Sequence, residues 1–374
     1  GETDYLITRG EEAPLREAGC PSLPTVGRSV IIPDDAEMAV RVVEAEWVEH
    51  AGTRVAPSKG NLLRSVDPEE VSYEFGPVYG AGGVYPSSVA YGSEPYIMRD
   101  HRGMVVVVNP FQYDAGREVL RVCRRMVVEV ERAGVGKVNV LTRRPSRVDA
   151  EFDRMYRGLF VNYAEARDRY EPLNEFGGML VICYGDYMSA MAPFVEWKRQ
   201  RGIPCEMVSV AAAGGDTAAI KAYIQNYYDT HDLAYLLLVG DAAQCPPLRA
   251  GGASDPAYSL LAGADKRPDV LVGRFSAEDV AQVATQVLRT VEYEKTPQAG
   301  AAWYHKGTGI GSEHGPGDDG EYDYDHVANI RDDLLAFTYT EVDTFRGPYD
   351  TAAMVTAALN GGRSVVNYCG HGST

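Results

Sequence analysis

Basic residues are in deficit in this chain: 36 Lys and Arg face 53 Asp and Glu across 374 residues, a net charge of −17 at neutral pH. A surface of that sign repels phosphate backbones, which argues against nucleic acid as a partner and suits cations or cationic peptides. Cysteine is scarce, with six in the whole chain. That is too few for a disulfide-built scaffold, and none stands in a C-x-x-C pair, so zinc-ribbon and thioredoxin-type chemistry is unsupported. No apolar run approaches the ~20 residues that a membrane-spanning helix needs. Stretches such as Leu236–Gly240 are strand-length. The sequence opens Gly-Glu-Thr, without the basic and apolar segments of a secretory leader. No repeat or low-complexity segment is visible.

What is present is an ordinary globular balance, 45% hydrophobic and 24% charged. At roughly 100–200 residues per domain, the length implies two or three domains. The first of them, residues 1–140, reads as β-structure. Thr25–Ile32, Ala39–Trp47, Met104–Asn109 and Met126–Val130 are Val- and Ile-rich runs cut by Gly, Pro, Asn and Asp. A hairpin follows Pro110-Phe111, its second strand lying in Arg117–Val130, and Gly76–Gly92 reads as an ordered loop. The expected module is β-sandwich-like. Residues 141–169 are rich in arginine and read as a linker with a short exposed helix.

From Tyr170 the pattern alternates between strand and helix. Gly178–Cys183, Cys205–Val210, Ala234–Val239, Val270–Phe275, Thr308–Ile310, Glu341–Asp343 and Ser364–Tyr368 read as strands. Met191–Arg201, Asp216–Thr230, Asp279–Thr296, Tyr324–Phe337 and Ala352–Asn360 read as helices. Such alternation predicts a doubly wound, mostly parallel α/β sheet, divided here into 170–303 and 304–374. Ligands of open parallel sheets meet the carboxyl ends of strands. Three such ends are polar: Gly240-Asp241, Ser312-Glu313-His314 and Gly370-His371-Gly372-Ser373. His371 stands between glycines just past an apolar strand, which leaves an imidazole accessible as base, acid or metal ligand. Cys369 lies two residues earlier, on the same strand face and ~6.5–7 Å away. That is too far for a thiol–imidazole hydrogen bond, so Cys369 reads as a packed thiol and not as a nucleophile. Asp318, Asp319, Glu321, Asp323 and Asp325 form an acidic loop that suits calcium or a cationic side chain.

The second half resembles the gingipain-type cysteine peptidases, caspase-like in fold. The resemblance runs through Pro193–Gly202, Leu236–Asp241, Ser254-Asp255, Val272–Ser276, Thr290–Lys295, Val366–Tyr368 and Gly370–Ser373. The first half is similar to the family's N-terminal propeptide, through Pro21–Pro24, a Tyr-Pro pair and Val106–Tyr113. The resemblance implies roles residue by residue. His371 is the catalytic histidine, and Glu313 is the carboxylate that orients it. Asp323 is the acid of an arginine-specific S1 pocket, and Gly370 and Gly372 flank the substrate. Arg169 and Tyr170 bracket the maturation cleavage. Asp265, Glu321 and His326 fall at a calcium site with a structural role; no organic cofactor is implied. An inhibitory propeptide of such an enzyme would present its own arginine to S1, with Arg99 and Arg102 as candidates.

The resemblance places the cysteine nucleophile on a strand beyond Thr374, in a C-terminal remainder of the catalytic domain, so the chain reads as a truncated zymogen or fragment. It implies a secreted or cell-surface endopeptidase acting on peptides with a basic P1 residue, Arg and possibly Lys. The loop around Gly317–Gly320 is one residue shorter than the family pattern. Two other classes remain open at this stage: a catalytically silent relative acting as a secretion or attachment scaffold, and a metal hydrolase using His371 with the acidic loop.

Overall fold

The computed structural model describes residues 14–63, 66–143, 147–166, 171–172, 175–316 and 321–370. Gly178–Cys183 carries apolar side chains on both faces. Met179, Val181 and Cys183 pack one way, with Met191, Phe194 and Val283. Leu180 and Ile182 pack the other way, with Ile220, Ile224 and Leu238. A strand with no polar face must lie inside a helix-covered sheet, and the four-stranded parallel sheet does that, in the order Cys205–Ser209, Gly178–Cys183, Leu233–Val239, Leu271–Phe275. Met188–Gln200 and Val280–Lys295 cover one face; Thr217–Thr230 covers the other. Asp216 and Asp279 cap two of these helices, each accepting a hydrogen bond at 2.8 Å from the backbone three residues on.

A three-stranded parallel sheet follows, with Lys306–Gly311 between Glu341–Arg346 and Val365–Cys369. Asp323–Phe337 packs on it, because the strand's glycines admit the helix closely. A Cβ on Gly309 would lie 2.1 Å from Val327, and one on Gly311 would lie 2.5 Å from the Tyr324 Cα.

The N-terminal unit contains two antiparallel sheets. In one, His101–Val108 pairs with Val26–Ile31, Ala90–Gly92 and Tyr96–Met98. The other is built on the long ribbon of Ala36–Ala51 and Val119–Val135, joined by Phe111–Asp114 and Val84–Tyr85. The hairpin expected after Pro110 is the Phe111–Asp114 pairing with Val119–Val135. The helix expected to be exposed in 141–169 is not. Ala150–Leu159 buries Phe152 and Tyr156, which join Phe160, Tyr163, Ile31, Tyr96 and Ala234 in one cluster. Its arginines occupy the opposite face, and aromatics four positions apart make the buried stripe.

Several residues that carried the family resemblance turn out to be architectural. Glu294 receives Trp197 Nε1 at 2.8 Å, Lys198 Nζ at 2.6 Å and Arg201 Nη1 at 2.8 Å, clamping two helices together. Arg274 pairs with both oxygens of Asp255 at 2.6 Å and donates to the Gly240 and Cys245 carbonyls. Removing Glu294 leaves the Lys198 ammonium, 9% exposed, without its partner. Glu294→Ala is expected to cost on the order of 2–3 kcal/mol, read as a lower urea midpoint at unchanged m-value. An unshifted midpoint would refute the clamp.

Candidate active site

Strand register assembles the site. Gly311 pairs with Cys369 on one side and Arg346 on the other, so Ser312, Gly347 and Gly370 leave the sheet at a common carboxyl edge. Ser312 N donates to the Cys369 carbonyl at 3.0 Å, and Gly347 N donates to that of Gly311 at 3.1 Å. Tyr322 is extended, and Asp323 opens the helix, where a carboxylate suits the positive end of the helix dipole. The backbone N–H of Asp323 donates to the His314 carbonyl at 2.9 Å, tying the start of the helix to the segment that follows Ser312.

The Asp323 side chain is buried, with 2% of its residue surface exposed. The Ser312 hydroxyl donates to its Oδ2, and the Cys369 thiol donates to its Oδ1 at 3.3 Å. Ser312 Oγ in turn accepts from His314 N at 3.1 Å. Both of these donors are neutral, and they orient the carboxylate. Such a group is suited to a cationic side chain arriving from the sheet edge. Glu313, next along the chain, is partly exposed. Its Oε1 lies 2.7 Å from Arg346 Nε, an ion pair without hydrogen-bond alignment. Arg346 stacks on the Tyr324 ring, 3.7 Å from its centroid, and lies 5.3 Å from that of Tyr349. Sequence reasoning missed Arg346, although its position at a strand end followed by Gly347 was a usable signal. A Cβ on Gly370 would stand 3.3 Å from Ser312 Cβ, so this edge is tight.

His371, Gly372, Arg169 and Tyr170 lie outside the described residues. The three residues expected at a calcium site are not brought together. Glu321 accepts from His326 Nδ1 at 3.0 Å and from Asn329 at 3.0 Å. Asp265 instead accepts the Ile97 N–H at 2.8 Å and that of Arg267 at 2.8 Å. Among the described residues no group of three His, Cys, Asp or Glu side chains could hold a metal ion.

Arg99 and Arg102, expected to reach toward a substrate pocket, are buried and engaged elsewhere. Arg102 donates to the carbonyls of Asn139, Pro33, Ala36 and Val138. Arg99 pairs with Asp149 and Asp232. The expectation failed because partners so distant in sequence leave no local trace.

The buried thiols do not resemble nucleophiles. Burial pushes Cys183 up to about 12 and Cys205 up to about 11. It raises Cys20 and Cys245 as well. A thiolate nucleophile needs the opposite shift. Among the described residues no helix is long and apolar enough to cross a membrane.

Comparison with known proteins agrees with this geometry. Residues 174–374 match the sequence model of Peptidase family C25, and residues 5–166 match that of Propeptide_C25. Gingipain R1 of Porphyromonas gingivalis is 36% identical over 98% of this chain, and gingipain R2 of the same organism is 34% identical over 96%. The chain spans 37% of the length of the first and 50% of the second. The crystal structure of the Arg specific cysteine proteinase gingipain R is 35% identical and superposes with a TM-score of 0.50, covering 53% of this chain and 47% of that one.

Proposed function

This chain belongs to peptidase family C25, and from that premise we propose that it is the latent form of a secreted or cell-surface cysteine endopeptidase that cleaves after arginine. The observation that carries the reading is Asp323. It is a buried carboxylate at the carboxyl edge of a parallel sheet, held by Ser312 and Cys369 beside Gly370. Its charge and position fit a P1 guanidinium, and the arginine specificity named for the similar gingipain R structure points the same way.

In this mechanism a cysteine thiolate from chain beyond residue 374 attacks the scissile carbonyl. Sulfur–carbon bond formation moves the carbonyl electron pair onto oxygen, where backbone N–H groups near Gly370 and Gly372 receive it. His371 takes the thiol proton and returns it to the leaving amine as the C–N bond breaks. It then takes a proton from a water that attacks the resulting thioester, whose C–S bond breaks to release the carboxylic acid and restore the thiol. Throughout, Glu313 holds the imidazole in the useful tautomer. Asp323 sets the register by fixing the P1 side chain. The caspase-like arrangement supplies the strand edge on which these groups meet. The N-terminal unit, which matches the family's propeptide, acts as the inhibitor until the Arg169–Tyr170 bond is cut.

Peptides differing only in P1 test the reading on the full-length protein. Turnover is expected for Arg, weakly for Lys and not for neutral residues. It should stop on thiol alkylation in the wild type and equally in Cys369→Ser, since Cys369 is not the nucleophile. Arg169→Ala should leave the 169–170 bond intact. Arginine cleavage that survives alkylation would overturn the assignment.

A further inference from the structure

Arg346 ends the strand Glu341–Arg346, in register with Gly311 at the carboxyl edge of the three-stranded sheet. A tight turn fixes its backbone. The Arg346 N–H donates to Asp350 Oδ2 at 2.7 Å, and its carbonyl accepts the Tyr349 and Asp350 N–H groups at 2.9 Å each. The side chain is held as well. Its guanidinium lies over the Tyr324 ring, 3.7 Å from the centroid, with the Tyr349 ring at 5.3 Å and Nε 2.7 Å from Glu313 Oε1. Those contacts occupy a face and the inner edge of the group. Nη1 and Nη2 carry four N–H bonds between them, and they donate no hydrogen bond among the described residues. The side chain is 44% exposed, so this outer fork is reachable.

Two routes place this cation one residue from Asp323, the acid assigned to P1. Tyr324, beneath the guanidinium, follows Asp323 in the helix. Glu313, paired with Nε, follows Ser312, whose hydroxyl donates to Asp323 Oδ2. Neighbouring residues of an extended peptide are about 3.3 Å apart. A substrate that lays its P1 side chain on Asp323 therefore brings an adjoining residue within reach of a side chain as long as arginine's. Glu313, Asp323 and Asp350 make this edge acidic. An acidic residue beside P1 would be repelled by all three, and Arg346 supplies the opposite charge at that place.

We propose that Arg346 is a specificity-determining residue, whose outer fork receives a carboxylate side chain adjoining the P1 arginine of the substrate. The guanidinium suits that partner: it is planar, permanently charged, and able to give two parallel N–H bonds to the two oxygens of one carboxylate. Its stack on Tyr324 and its pair with Glu313 hold it in place beforehand, so little side-chain freedom is lost on binding. Preferred cleavage sequences then place Asp or Glu directly beside the arginine, and runs of basic residues are poorer substrates. Arg346's role rests on the reading of Asp323 as the P1 acid and narrows the substrates of that same site.

The test is kcat/KM of the full-length protein for peptides fixed at P1 Arg, with Asp, Asn or Lys at P2 and, separately, at P1′, the two positions flanking P1. At one of them the wild type is expected to favour Asp over Asn about 3–5-fold at low ionic strength, with the ratio shrinking toward one in ~1 M salt. Arg346→Gln should erase the ratio. Arg346→Lys should keep a reduced one, since an ammonium supplies the charge without the fork. Both variants also disturb Glu313 and change kcat for every peptide, so the readout is the ratio within each variant. A residue that only steadies Glu313 would scale all peptides alike. A wild-type ratio at or below one at both positions, or a ratio that Arg346→Gln leaves intact, overturns the role of Arg346 while arginine cleavage itself stands. If no arginine peptide is turned over, the peptidase reading falls and Arg346's role falls with it.

Discussion

His371→Ala is expected to lower kcat by about 10³–10⁴ with KM for arginine peptides little changed. Gly370 leaves the sheet at the same edge as Ser312, and His371 follows it in sequence. Glu313 stands at that edge, held by Arg346 at 2.7 Å. An imidazole working there needs its second nitrogen engaged, and Glu313 is the carboxylate that the family resemblance assigns to that role. Glu313→Gln should therefore cost less, about 10–100-fold in kcat, because an amide oxygen still accepts the N–H but stabilises the imidazolium poorly. Arg346→Ala should shift the pH profile of kcat without abolishing turnover, since it removes a cation that competes with the imidazole for Glu313. Single-turnover acylation with unaltered melting temperatures separates these effects from misfolding. A His371→Ala enzyme within tenfold of wild type would remove the proton-transfer role altogether.

Gly178–Cys183 and Leu233–Val239 were legible because each is apolar on both faces, a pattern that is stable only where helices cover the sheet from both sides. Gly178–Cys183 coincides with its sequence reading for this reason. The long N-terminal ribbon was under-read. Ala36–Ala51 and Val119–Val135 carry Glu44, Glu46, Arg124 and Arg125 within them, and their ends are set by each other's pairing more than by either composition. In residues 141–169 the arginines drew attention to the wrong face: Phe152, Tyr156 and Tyr163 decided the packing. Arg99 was illegible for a different reason. Its fate depends on Asp232, 133 positions away, and no local pattern announces a buried ion cluster.

The site divides in the same manner. Asp323 and Glu313 could be singled out by resemblance, but the contacts that orient them could not. The Cys369–Asp323 bond exists because Gly311 and Cys369 are in register and the helix starts where it does. Conversely, Trp197, Lys198 and Arg274 belong to the most recognisable strings, yet they bind Glu294, Asp255 and the Gly240 and Cys245 carbonyls. A family's most visible sequence can thus record helix clamping, while the contacts of Asp323 come from pairs that only strand register creates.

Asp323→Asn should separate specificity from turnover. The substitution is nearly isosteric, so the helix start and the His314 contact persist, but the buried charge is gone. An arginine side chain entering the site would then be desolvated without a counter-ion. Truncating one partner of a buried charge pair costs about 2–5 kcal/mol, which corresponds to roughly 10²–10³-fold in kcat/KM for Arg peptides at the middle of that range. The added amide also meets donors: both the Ser312 hydroxyl and the Cys369 thiol point hydrogens at this carboxylate. The hydroxyl can rotate and accept instead, so stability should change little while P1 binding collapses. Ser312→Ala and Cys369→Ala keep the charge and lose one orienting bond each. They should cost about 3–10-fold, with Cys369→Ser restoring most of the loss, since a hydroxyl can still donate. The measurement is kcat/KM for a matched series with Arg, Lys and a neutral residue at P1. If Asp323→Asn keeps the arginine preference of the wild type, the buried carboxylate is a support for the loop and the specificity pocket lies elsewhere on the sheet edge.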